Sequence, residues 1–277
     1  MIVCGGIPEY LSRVSAKLSV HENLTQLFFE ESGRLFEEPV NLMKQELKEP
    51  MSYHSIISAI ASGASKVNEI ATKTGLETSG CSNQLSSLIS LGIVCKETPI
   101  TEPETSRKTL YRLADSMYVF WYRFVRPNIS SISRGVGEQI YSSVVIHQLS
   151  DFMGEVFEEI CQQYLFLPGI YETLPFPVGK VGHWWGNNPK KKCQEEIDLM
   201  SVYEDKVLIG ECKWKNEKVG MSVIEKLLER GELFSHKEKN YIIFSKSGFS
   251  GEVIEYARVN ENIRLVDFEM MCGEGNT

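Results

Sequence analysis

The run Val207-Leu208-Ile209-Gly210-Glu211-Cys212-Lys213, with Asp198 thirteen residues before Glu211, constrains this chain more than any other stretch. It predicts a short apolar strand that turns polar only at its end. Residues two apart on a strand point to one face, so Glu211 and Lys213 sit side by side. Asp198, on the preceding strand of a hairpin, approaches them. Two carboxylates beside an ammonium suit a divalent cation, an oriented water and a scissile phosphate. A solvated strand face carrying a weak surface ion pair is the alternative. The alternation in Glu196-Ile197-Asp198-Leu199 and the gathering of charge at one end of both strands favour an active-site edge.

This arrangement resembles the PD-(D/E)XK nuclease motif, with Asp198 as the first acid, Glu211 as the second and Lys213 as the lysine. Ile197 stands where the motif's proline would be. The resemblance implies a further acid on a helix ahead of the core strands. Asp151 to Cys161 is a helix candidate, with Phe152, Val156, Phe157 and Ile160 recurring at helical spacing as its buried stripe. Glu158 corresponds best to the helix acid; Glu155 and Glu159, one turn apart, are rivals that face solvent. The resemblance thus implies Mg²⁺ or Mn²⁺ held by Asp198, Glu211 and Glu158, with Lys213 completing the catalytic set.

The chain has 277 residues, enough for two domains, and its 42% hydrophobic and 24% charged content fits an ordinary soluble protein. No apolar run approaches the ~20 residues a bilayer span needs. The first residues lack the basic and long apolar regions of a signal peptide. The 7 cysteines show no CxxC spacing, so neither a zinc ribbon nor a disulfide framework is indicated, and the expected location is a reducing cytoplasm. The net charge of −8 opposes nonspecific coating of nucleic acid, but the charge is uneven. Residues 51–135 hold 9 basic and 6 acidic side chains (+3), whereas residues 136–277 hold 15 and 23 (−8). Only the middle third offers a modest phosphate-binding face. The acidity of the last part implies dependence on a divalent cation.

Along the chain, residues 1–50 predict helices only, a lid-like segment without a complete core. Residues 51–113 have the rhythm of a winged helix: Tyr53 to Ala61, Lys66 to Lys73 and Ser79 to Leu91 as helices, then strands Ile93 to Glu97 and Thr109 to Leu113 across a polar loop. The third helix turns Ser82, Asn83, Ser86 and Ser87 outward but carries no Lys or Arg, so protein packing competes with groove reading. Arg107 and Lys108 in the wing are the better phosphate candidates, with Asn83 the base-reaching one. Asp115 to Asn128 predicts an aromatic helix stopped by Pro127, either a core helix or a platform for bases. Residues 129–150 predict a helical linker, which sets the winged-helix domain at 51–128. From 151 to 277 the order is αβββαβ with an αβ extension, as in restriction-endonuclease-like cores, giving an α+β or α/β multidomain protein overall. His183 is either a general base or structural, and Lys190-Lys191-Lys192 either a solvated loop or a phosphate contact.

Several stretches together resemble one family, prokaryotic AAA+ type ATPases with a winged helix and a nuclease-like C-terminal domain of unknown function. They are Gly5 to Leu11, Glu38-Pro39, Tyr53 to Ile57, Tyr111 to Asp115, Phe120 to Phe124, Gly154 to Glu158 and Gly210 to Trp214. The chain departs from that family in having no GxxxxGK[ST] loop to cradle phosphates, so no ATP site is expected in it. The resemblance implies the lid, winged helix and nuclease-like portion of such a protein, as a truncated form, a split gene or the product of an internal start. The ATPase core would then be on another chain or lost. The expected function is a Mg²⁺-dependent DNA phosphodiesterase; the alternative is a catalytically inactive DNA-binding or regulatory module. DNA is the expected partner, and no membrane is.

Overall fold

A computed structural model describes residues 2–46 and 50–273. The chain divides into two compact units, one of Met1–Glu97 with Thr109–Leu149 and one of Thr98–Lys108 with Ser150–Thr277. The two are described in turn.

The first unit opens with α1 (Pro8–Leu11), α2 (Val20–Phe28) and α3 (Glu38–Glu46). Ser19 caps α2: its hydroxyl accepts the Glu22 N–H while the Glu22 carboxylate accepts the Ser19 N–H, satisfying donors at the helix start. Then come α4 (Pro50–Ala61), α5 (Val67–Thr74), α6 (Thr78–Ser90) and an antiparallel pair, β1 (Val94–Glu97) and β2 (Leu110–Leu113). Three helices and a hairpin thus follow in the order the sequence predicts. Gly75 and Gly92 adopt φ of 70° and 70° at the ends of α5 and α6, a left-handed conformation that a side chain disfavours.

The aromatic segment forms α7 (Ser116–Phe120), continuing as a π-helical turn over Trp121–Val125. Met117, Phe120, Trp121, Tyr122, Phe124 and Val125 are all buried, so the segment is core and offers no stacking platform for bases. Phe120 meets Phe28 with ring centroids 4.9 Å apart, and the Trp121 indole donates to the Phe36 carbonyl at 2.8 Å. Burying each such side chain contributes about 2–3 kcal/mol. Pro127 does not stop the helical path. It sits in a 3-10 turn over Arg126–Asn128, and α8 (Ile129–Ile132) follows directly. A proline early in a helical turn removes an N–H that would have no partner there. The path continues through α9 (Gly137–Ile140) and a second π-helical turn over Tyr141–Val145. Gly137 lies against the Phe29 carbonyl so closely that a Cβ would stand 1.7 Å from that oxygen.

α10 (Ile146–Tyr164) carries the chain into the second unit, which has a five-stranded mixed sheet in the order β3-β4-β5-β6-β7. The strands are β3 (Gly182–Asn188), β4 (Cys193–Tyr203), β5 (Lys206–Lys213), β6 (Glu238–Ser245) and β7 (Ile263–Asp267), with α11 (Met221–Gly231), α12 (Gly251–Val259) and α13 (Phe268–Met271) between and after them. β3, β4 and β5 pair antiparallel; β5, β6 and β7 run parallel. Alternation along the strands builds two cores. Leu208, Cys212, Ile242 and Phe244 pack with Phe157, Cys161 and Tyr164 of α10. Val207, Ile209 and Ile243 pack with Ile224 and Leu227 of α11 and Val253 of α12.

β3 runs through Asn187 and Asn188, two residues of low strand propensity. The buried Asn188 amide explains it: its oxygen accepts the N–H groups of Lys190 and Lys191, making a side-chain-closed turn right after the strand. The loop 98–108 is not a free wing tip, because the Ile100 N–H donates to the His183 carbonyl of β3 at 2.9 Å. Among the described residues no helix is long and apolar enough to cross a membrane.

Candidate active site

β4 gains one residue against β3: Gly182 pairs with Met200, yet Trp184 pairs with Ile197. Such a bulge re-aims side chains, and this one contains Asp198. On the other side, ladder pairing with β5 ends at Leu199 and Gly210. The Cys212 N–H that would continue it donates instead to the Asp198 carboxylate at 2.8 Å. Asp198 is thereby held where the two strands part. Its own carbonyl accepts the Gln162 amide of α10 at 3.2 Å.

Burial, then the negative charges of Glu211 and Glu158, push the Asp198 carboxyl up to about 7; the Cys212 N–H and Lys213 oppose the rise. Of the four expected residues, the structure thus brings Glu211, Lys213 and Glu158 within electrostatic reach of the fourth, Asp198. Glu211 and Lys213 share a sheet face, as their spacing predicts, and their side chains form an ion pair. Burial lowers the Lys213 pKa, but the pull of Glu211 and Asp198 outweighs it, and the ammonium is held above its ordinary value.

Two residues in this cluster carried no signal in the sequence. Arg230, on α11, bridges Glu211 at 2.6 Å and Glu195 at 3.0 Å; both carboxylates are buried and the Arg230 side chain is partly so. Burial pushes the Glu195 carboxyl up, yet Arg230 more than offsets this and holds it below the ordinary range. Both oxygens of Glu211 are thus engaged, one by Lys213 and one by Arg230. Among the described residues no three His, Cys, Asp or Glu side chains are spaced to hold a metal ion in this arrangement. The donor chemistry still fits a hard cation, because the Asp198 carboxyl is raised by burial and by the negative charges of Glu211 and Glu158, which a cation held there would offset.

Glu158, on α10, lies 3.3 Å from the His183 imidazole. His183 Nε2 also lies 3.1 Å from the Gln162 amide, so it accepts from Gln162 when neutral and donates to Glu158 when protonated. Glu155 and Glu159 are exposed, as expected. Phe152, Val156 and Phe157 form the buried stripe, with Cys161 rather than the half-buried Ile160 continuing it. Lys191 pairs with Glu229 at 2.7 Å. The nucleic-acid candidates are not part of this cluster. Asn83 is exposed on α6, where the Ser82, Ser86 and Ser87 hydroxyls donate back to helix carbonyls. Arg107 is exposed, and the Lys108 ammonium is paired with Glu102 at 2.7 Å.

Residues 121–225, which include Glu158, Asp198, Glu211 and Lys213, match the model of DUF234, a family described as archaeal and bacterial proteins of unknown function. An uncharacterized protein of Methanocaldococcus jannaschii is 33% identical over 215 residues, which is 77% of this chain and 46% of that protein. The chain spans about half the length of the curated relative it matches. Among solved structures, protein VC1899 from Vibrio cholerae is similar over 92% of this chain and 54% of its own, at 12% identity and a TM-score of 0.31. A MarR family transcriptional regulator from Silicibacter pomeroyi covers 53% of this chain and 95% of its own, at 18% identity and a TM-score of 0.24. Likenesses this distant carry no argument about fold or activity.

Proposed function

We propose that the second unit is a Mg²⁺-dependent phosphodiesterase acting on DNA, built on a PD-(D/E)XK nuclease core, and that the three helices and hairpin of the first unit are a winged helix. The observation that carries this reading is the Asp198 carboxyl, trapped at the parting of β4 and β5 among Glu211, Glu158 and Lys213. A buried carboxylate cluster destabilises a fold unless a cation neutralises it, so such clusters persist where function requires them.

In this reading Asp198, Glu211 and Glu158 would hold Mg²⁺ or Mn²⁺ once their side chains rearrange around it, and the ion would offset charge at the scissile phosphate and make water a better nucleophile. Lys213 donates to the attacking water or to the phosphate oxygen on which charge builds. His183, hydrogen-bonded within reach of Glu158 and Gln162, orients the helix acid. The test is cleavage of linear and branched DNA with Mg²⁺ and with EDTA, comparing the wild type with Asp198→Ala. Metal-dependent cleavage that vanishes in the variant supports the assignment; equal activity in both refutes it.

One observation favours a second reading, a DNA-binding or regulatory module that has lost the reaction. Both Glu211 oxygens are tied to cationic side chains, and a metal ion would have to displace one of them. DNA retention without cleavage under any divalent cation would select this reading.

A further inference from the structure

Away from the carboxylate cluster, the first unit has an open groove of about 560 Å³ lined by Ser58, Ser62, Tyr122, Arg123, Arg126 and Pro127. None of the six is acidic. Arg126 is the centre of the groove's chemistry. Its Nε donates to the Ser58 hydroxyl at 3.1 Å, and its guanidinium lies 5.6 Å from the centroid of the Tyr122 ring. Tyr122 is itself fixed, with its hydroxyl 2.6 Å from His54 Nδ1 and both residues buried. The guanidinium fork is therefore held between the Tyr122 ring and the Ser58 hydroxyl, and little rotamer freedom remains to lose on binding. Among the described residues no carboxylate lies within ion-pair distance of Arg126.

Ser58 uses a lone pair on Arg126, which leaves its O–H to donate outward, whereas the Ser62 hydroxyl donates back to the carbonyls of Ser58 and Ala59. Arg123, three residues before Arg126, brings a second guanidinium to the same lining. The backbone that presents these residues is the π-helical turn Trp121–Val125, a rare geometry that recurs at functional sites. An orienting hydroxyl beside the planar Arg126 fork suits an oxyanion with several acceptor oxygens.

We propose that this groove holds a backbone phosphate of a nucleic acid, with Arg126 and the Ser58 hydroxyl as the donors. Two features select a polymer over a free nucleotide. The groove is open, so a chain continues past it. Its one aromatic ring, Tyr122, is buried under a guanidinium and leaves no face on which a base could stack. Such a contact positions the strand and reads no sequence. It does not rest on the hydrolytic reading, and binding is measured in EDTA so that cleavage plays no part.

The experiment is fluorescence anisotropy of the full chain with two labelled DNA duplexes of unrelated sequence across a salt series, for the wild type, Arg126→Gln and Arg126→Lys. The expected result is a loss of about tenfold in Arg126→Gln, equal for both duplexes, with the log–log salt slope smaller by about one. Arg126→Lys should recover the salt slope but not the whole affinity, since it restores charge without the fork. Circular dichroism melts confirm that each variant is folded; if Arg126→Gln melts early, the salt slope of Arg126→Lys decides. Unchanged affinity and slope, a loss confined to one sequence, or no wild-type binding at low salt each overturns the proposal. So does saturation by ATP that the duplexes do not compete away.

Discussion

Replacing Asp198 by Asn should make the protein more stable, and increasingly so as pH rises. The asparagine oxygen still accepts the Cys212 N–H, so the hydrogen bond survives while the charge goes. The Asp198 carboxyl is pushed up to about 7 by burial and by Glu211 and Glu158. The folded state therefore binds this proton more tightly than the unfolded chain does. Stability then falls as pH rises from the ordinary aspartate value toward 7, and the penalty is complete above it. Between about pH 5 and about pH 8 roughly two pH units of penalty accrue, at most about 2.7 kcal/mol. Local relaxation and water entry reduce this to about 1–2 kcal/mol. That corresponds to about 2–8 °C in melting temperature. The assay is thermal melting of the wild type and Asp198→Asn in EDTA at both pH values. The variant's advantage should widen toward the higher pH. A gap that stays constant or narrows would mean that Asp198 is not held among like charges.

Three other changes give distinct signatures. Arg230→Met removes the guanidinium that bridges buried Glu195 and one oxygen of Glu211 and should destabilise by about 3–5 kcal/mol, read by urea unfolding of the whole chain. Lys213→Ala should lower any metal-dependent cleavage about 10²–10³-fold with a far smaller effect on melting, since Lys213 is partly exposed. Gly137→Ala should destabilise by more than about 3 kcal/mol in a melting or denaturant assay, because its Cβ would collide with the Phe29 carbonyl.

The local patterns in this chain were legible where one element sufficed. Alternation and the terminal charges located β4 and β5, and helical spacing located α10 with Glu158 on its half-buried side. Features that depend on distant partners were not legible. Arg230 reads as an ordinary last-turn cation of an amphipathic helix; its buried bridge to residues 19 and 35 positions earlier exists only because α11 folds back over the sheet. The bulge at Asp198 comes from pairing with β3, and no residue in β4 announces it. Pro127 suggested a helix end, but it falls in the first residues of a new turn, where it removes nothing. Loop 98–108 looked like a solvated wing because its polar composition outweighed the single apolar anchor, Ile100, that fastens it to β3.

The most direct test of the central claim is Mn²⁺ titration followed by electron paramagnetic resonance, on the wild type, Asp198→Asn and Glu211→Gln. One bound ion in the wild type, with affinity reduced at least about tenfold in each variant, is the predicted result. Equal binding by all three proteins, or none by any, would contradict it.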